Sequence, residues 1–128
     1  MPDLTTVLYA DDDDDVRAIA EMALTAVAGI SVCAFASGQA ALEGAQECAP
    51  DLILLDVMMP ELDEPSTMTR LREIPSLAAT PVVFLTAKIR PDEVDRYHQL
   101  GAAGVINKPF DPMTLDSQLR EIWSRVSA

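Results

Sequence analysis

Basic residues are nearly missing from the first half of this chain. Residues 1–64 contain Arg17 alone against 14 acids, a net of −13, while residues 65–128 come to +1 and the whole to −12. Nucleic-acid binding needs clustered lysine and arginine to neutralise phosphates, so this balance opposes it and favours a cation or a basic partner surface. Long apolar runs are also absent. No stretch approaches the length that spans a bilayer, and Met1-Pro2-Asp3-Leu4 lacks the basic-then-apolar order of a secretory leader. A soluble, cytoplasmic protein is expected. Cysteine is scarce: Cys33 and Cys48 lie too far apart for a metal pair and are too few for a disulfide framework, so buried reduced thiols are expected. The one histidine, His98, has no second ligand near it in sequence and sits in a polar helical stretch, which reads as surface. With neither a glycine-rich phosphate loop nor a nucleophile-elbow serine, conventional nucleotide-binding and hydrolase readings fall away.

What remains is a hydrophobic pattern of high regularity. At 128 residues and 49% hydrophobic, the chain suits one domain, residues 1–128, with a real core and no internal repeat or linker. Strands are expected at Thr5 to Ala10, Ser31 to Ala36, Asp51 to Asp56, Pro81 to Ala87 and Ala103 to Asn107, several of them apolar at nearly every position, as in a sheet covered on both faces. Between them lie helix candidates at Asp14 to Val27, 38–48, 65–74, 92–100 and 111–126. The first carries Val16, Ile19, Ala20, Ala23, Leu24 and Val27 on one stripe, with Gly29 after its end. The last carries Leu115, Leu119, Ile122, Trp123 and Val126, read as core packing. Asp111-Pro112 reads as an N-cap followed by a proline at the first helical position, and Arg90-Pro91-Asp92 opens a helix similarly. Gly101 and Gly104 break the chain before the last strand. Five strand-helix repeats imply an α/β fold, a doubly wound five-stranded parallel sheet with helices on both faces.

Two of these strands end in acid. The run Asp11 to Asp15 closes the first, and Asp56 closes the third; in a parallel sheet both ends emerge on the edge where such folds bind ligands. Asp14 and Asp15 suit the first turn of a helix, where carboxylates meet free N–H groups and the positive end of the dipole. Asp13 stays unassigned. Asp11 and Asp12 meeting Asp56 would repel by several kcal/mol at an effective dielectric near ~20 unless a cation intervenes. All-oxygen ligands with so few protein groups suit Mg²⁺, which keeps several waters and often bridges carboxylates to a phosphate. A calcium loop on Asp11, Asp13 and Asp15 fails, because Val16 stands where it needs glycine and Met22 where it needs glutamate. Lys108, a lone cation before Pro109, is held extended rather than helical; Thr86 by itself is uninformative.

Four motifs, VLYADDD at 7–13, DLILLDVMMP at 51–60, VVFLTA at 82–87 and INKPF at 106–110, each end an expected strand. In that order they resemble the receiver domain of bacterial response regulators, across essentially the whole chain. The resemblance implies the flavodoxin-like receiver fold and a two-component phosphorylation switch. Asp56 would accept a phosphoryl group from a phosphohistidine of a sensor histidine kinase or histidine phosphotransfer protein, by positioning and charge neutralisation. It implies Mg²⁺ held by Asp12 directly, Asp11 mainly through water, Asp56, and the backbone carbonyl of Met58. Lys108 would pair with the phosphoryl oxygens, the Thr86 hydroxyl and Ala87 N–H would donate to them, and Pro109 would be the cis proline that aims the lysine inward.

The chain departs from the family at three places. Met59-Pro60-Glu61-Leu62-Asp63-Glu64-Pro65 replaces both usual loop glycines, so another loop path and a third helix from Pro65 are expected, with Glu61 and Glu64 adding negative charge. Val105 stands where many receivers carry an aromatic that moves inward when the threonine engages phosphate, so this coupling is expected to be altered. Met58 and Lys88 occupy positions that tune phosphate lifetime in the family, and an apolar Met58 cannot orient an attacking water; slow autodephosphorylation is expected. Since the last helix ends the chain, a stand-alone receiver signalling through an unidentified downstream protein is expected, with a phosphorelay shuttle or a fragment of a larger regulator as alternatives. A Mg²⁺-dependent phosphatase would need a second acid where Met58 stands. A pseudo-receiver is opposed by the intact Asp11, Asp12, Asp56, Thr86 and Lys108 set.

Overall fold

The computed structural model describes residues 4–27, 29–56, 64–86, 91–108 and 110–126. Strand and helix alternate as the hydrophobic pattern requires: β1 (Thr6–Ala10), α1 (Asp14–Met22), β2 (Ser31–Phe35), α2 (Gly38–Cys48), β3 (Leu52–Asp56), α3 (Glu64–Glu73), β4 (Val82–Thr86), α4 (Pro91–Gln99), β5 (Gly104–Asn107) and α5 (Leu115–Val126). The strands form one parallel sheet in the order β2-β1-β3-β4-β5. This is a doubly wound order with its reversal between β1 and β3.

Alternating side chains divide the core into two layers. Val7, Tyr9, Leu52, Leu54, Val83, Leu85 and Ile106 face Ala20, Leu24, Leu115, Leu119 and Ile122. Leu8, Ala10, Ile53, Leu55, Val82 and Phe84 face Ala41, Ala45, Met68, Leu71, Leu77 and Tyr97. Because every position of β3 and β4 is buried, those strands read as continuous apolar runs rather than alternating ones. Full burial of each such Leu, Ile or Phe contributes about 1.5–3 kcal/mol, which makes the two central strands the rigid floor of the carboxyl edge. At the outer strand, a Cβ on Gly104 would stand 2.7 Å from Ile122 Cδ1, so glycine there lets α5 pack closely on β5.

Several sequence expectations are corrected. The first helix is α-helical only to Met22 and widens into a π-helical turn over Ala23–Val27. There the Thr25 hydroxyl donates to the Glu21 carbonyl at 2.7 Å, the kind of back-bonding that competes with the regular ladder and bends a helix. The expected stripe is also narrower, for Ile19 is 48% exposed and Val16 only half-buried. Helix α5 starts at Leu115 rather than 111: Asp111 accepts from the Met113 N–H at 2.9 Å, and its carbonyl accepts from the Thr114 and Leu115 N–H groups, closing a turn before the helix proper. Within α5, Leu115, Leu119 and Ile122 are buried and the half-buried Trp123 packs against the same layer, as expected, whereas Val126 is exposed. The cysteines are not separate thiols, since Cys33 and Cys48 form a disulfide with Cα atoms 6.2 Å apart. Spacing in the chain hid this, because β2 and the end of α2 meet only when the crossover folds back.

Candidate functional site

Register decides what meets at the carboxyl edge. Ala10 pairs with Leu55, Asp56 with Leu85, and Thr86 with Asn107, so β3 and β4 each end one residue beyond the strand before them and β5 ends level with β4. Asp11, Asp56, Thr86 and Lys108 therefore emerge side by side at the edge where open α/β sheets bind ligands.

Asp11 is fully buried and Asp56 is 2% exposed, whereas Asp12 is exposed. One carboxylate oxygen from each of the three lies within 4.8 Å of the others. At that spacing two charges repel by roughly 3 kcal/mol at an effective dielectric near 20, so the cluster calls for positive charge. Three carboxylates with one face open to solvent fit a hard, partly hydrated divalent cation.

Lys108 supplies a built-in counter-charge. Its Nζ donates to Asp11 Oδ2 at 3.2 Å and lies 3.3 Å from Asp56 Oδ2. Burial works against its charge, but Asp56 and then Asp11 outweigh burial and hold the pKa above the ordinary lysine range. The Lys108 N–H donates to the carbonyl of the buried Thr86 at 2.8 Å, which fixes where the lysine leaves the sheet.

Asp11 is also held by groups that sequence reasoning missed. The Tyr9 hydroxyl donates to Asp11 Oδ2 at 2.7 Å, and the Asp13 N–H donates to Oδ1 at 2.9 Å. Arg17 donates to the Asp11 main-chain carbonyl at 2.9 Å and pairs with Asp14. Burial, then the bond to Asp11 and the nearby carboxylates, pushes the Tyr9 phenol far up, so it remains a donor. A signal existed, because Tyr9 and Asp11 are two apart at a strand end and strand side chains two apart share a face. Asp13, unassigned from sequence, is the N-cap of α1, accepting from the Asp15 and Val16 N–H groups at 3.0 and 3.1 Å. Its carboxylate is committed to its own helix, and Asp14 and Asp15 occupy the first turn as expected.

Val105 is half-buried against the layer containing Phe84 and Tyr97. His98 is exposed on α4, its Nδ1 lying 3.2 Å from the Ala102 carbonyl, as expected of a surface histidine. Met58, Ala87, Lys88 and Pro109 lie outside the described residues, as do residues 57–63 of the loop that lacks its glycines. The helix beyond that loop starts at Glu64, one residue before the expected Pro65.

Comparison with known proteins gives concordant results. The family model for the response regulator receiver domain matches residues 7–120. The transcriptional regulatory protein CseB of Streptomyces coelicolor is 35% identical over 125 residues, covering 98% of this chain and 52% of that protein. Response regulator Rre1 of Synechocystis is 30% identical over 128 residues, covering 100% of this chain and 55% of that protein. This chain thus spans about half the length of the curated relatives it matches. Among solved structures, chemotaxis response regulator CheY4 of Vibrio cholerae superposes with a TM-score of 0.85 at 31% identity, covering 93% of this chain and 98% of that one.

Proposed function

The chain belongs to the response regulator receiver family, and from that membership we propose that it is a Mg²⁺-dependent phosphorylation switch with Asp56 as phosphoacceptor. The observation that carries this reading is a buried Asp56 carboxylate lying 3.3 Å from Lys108 and clustered with Asp11 and Asp12 at the open edge of the sheet. An Asp56 oxygen attacks the phosphorus of a phosphohistidine on a sensor kinase or phosphotransfer protein. The P–N bond breaks, the imidazole nitrogen keeps the electron pair, and an acyl phosphate forms on Asp56.

Asp11, Asp12, Asp56 and the Met58 carbonyl would hold the Mg²⁺, which when bound neutralises charge on the phosphoryl oxygens. Lys108 turns from the carboxylates to pair with the incoming phosphoryl group as a compact cation, and the Thr86 hydroxyl and Ala87 N–H donate to its oxygens. This is self-modification rather than turnover of a free substrate. Among the described residues no helix is long and apolar enough to cross a membrane, and a cytoplasmic site of action is part of the proposal.

Two settings are supported by different observations. One setting, proposed from the likeness to chemotaxis response regulator CheY4, is a stand-alone receiver, one domain over residues 1–128, that signals by docking a downstream protein. The half-length match to CseB and Rre1 favours the receiver portion of a longer regulator.

Incubation with Mg²⁺ and acetyl phosphate, read by intact mass, is expected to add one phosphoryl group to the wild type and none to Asp56→Asn. Absence of labelling with both acetyl phosphate and beryllofluoride would sink the reading in favour of a pseudo-receiver. Turnover of unrelated phosphate esters would favour the phosphatase.

A further inference from the structure

Tyr9 touches the site without being one of its expected ligands. It is fully buried in β1, within the layer that includes Leu54, Leu85 and Ile106, so its ring has a fixed place in the core. Its hydroxyl reaches Asp11 Oδ2 at 2.7 Å, the same oxygen that Lys108 reaches at 3.2 Å. That oxygen has two donors of different kinds. One is neutral and anchored by the core; the other is charged and carried on a flexible stem.

The difference matters when Lys108 turns toward a phosphoryl group. A fully buried carboxylate deprived of a donor is costly to maintain, and the Tyr9 hydroxyl is the donor that stays behind. With the Asp13 N–H on Oδ1, it fixes both oxygens of Asp11 independently of the lysine. We propose that Tyr9 is a positioning residue, holding Asp11 in the orientation the cation requires and allowing Lys108 to leave Asp11 during phosphoryl transfer. This rests on the phosphoacceptor reading above and deepens it. Groups that hydrogen-bond a ligating carboxylate typically contribute 10–100-fold to metal affinity or activity when measured by their removal.

Tyr9→Phe deletes one oxygen and keeps the ring. Magnesium affinity measured by titration calorimetry is expected to weaken at least ~10-fold in this variant. Acetyl phosphate labelling should slow at limiting Mg²⁺ and recover at saturating Mg²⁺, a split that general core damage would not produce. Tyr97→Phe is the control, since Tyr97 is an equally buried tyrosine packed edge-on to Phe84 at 5.1 Å in the other layer; its magnesium affinity should match the wild type. An unchanged affinity in Tyr9→Phe, or an equal loss in Tyr97→Phe, overturns the role of Tyr9 alone. A wild type that binds no magnesium overturns the phosphoacceptor reading, and the role of Tyr9 with it.

Discussion

Lys108 Nζ lies 3.3 Å from Asp56 Oδ2, tying the end of β5 to the end of β3 across the carboxyl edge. The same ammonium reaches Asp11, so one cation balances two buried carboxylates. Lys108→Ala is expected to destabilise the metal-free protein by about 3 kcal/mol, the lower end for removing one partner of a buried pair. Saturating Mg²⁺ should recover part of that loss, as read by urea denaturation with and without the ion. Because the folded pKa of Lys108 is raised, its contribution is fully present below the unfolded lysine value, about 10.4, and is lost as pH rises through the folded value. The variant should lack that alkaline component.

Asp51 shows the opposite sign. Its Oδ2 accepts from the Thr5 N–H at 3.1 Å, the Thr5 hydroxyl at 2.7 Å and the Thr6 N–H at 3.1 Å, clasping the starts of β1 and β3. Burial pushes its pKa up, but the donors from Thr5 and Thr6 win and the net value is lowered. Its contribution is therefore present above the unfolded value, about 3.9, and lost as pH falls through the folded one. Asp51→Asn should cost about 1 kcal/mol at pH 7 in denaturant titrations, with the gap closing in strong acid.

The disulfide joins edge strand β2 to the end of α2 across a sequence separation of 15. Closing a loop of that length stabilises by about 3 kcal/mol in the chain-entropy picture. Cys33→Ser, or dithiothreitol on the wild type, should each lower Tm by roughly 10 °C, and the two together by no more than either alone. Acetyl phosphate labelling should be unaffected, because neither cysteine touches the acidic cluster.

Ala49 ends α2 in the left-handed region at φ 49°, with its N–H donating to the Ala45 carbonyl at 3.1 Å. This position favours glycine, because a Cβ crowds the following carbonyl. Ala49→Gly is expected to raise stability by about 0.5–1 kcal/mol in thermal or urea unfolding, unlike most alanine-to-glycine changes.

In the proposed switch the apolar side chain of Met58, known from the sequence, would have no group to orient a water against the acyl phosphate. Autodephosphorylation is accordingly expected to be slow, and a half-life of seconds for purified phosphoprotein in Mg²⁺ would refute this. Met58→Asn or Met58→Glu should shorten the half-life by supplying a polar side chain.

The architecture was legible because the signals behind it are local. Runs such as Leu52-Ile53-Leu54-Leu55 declare a strand buried on both faces, and Asp56 declares its end. Helix boundaries were less secure: Thr25 diverted its hydroxyl to the Glu21 carbonyl, and Asp111 spent its side chain on a turn ahead of α5. Ile19 fits the helical stripe by spacing but is exposed, since spacing names a face of the helix and not how far the sheet extends beneath it.

By itself the sequence determined five strands, the acids that close two of them, and a motif order that identifies a receiver. Only the tertiary structure decided which groups meet across elements: Lys108 with Asp11 and Asp56, and Cys33 with Cys48 in a disulfide. The physical reason is that periodicity fixes the direction of a side chain along one element. Distances between elements follow from parallel register and crossover packing, which bring residues far apart in the chain within a few ångströms.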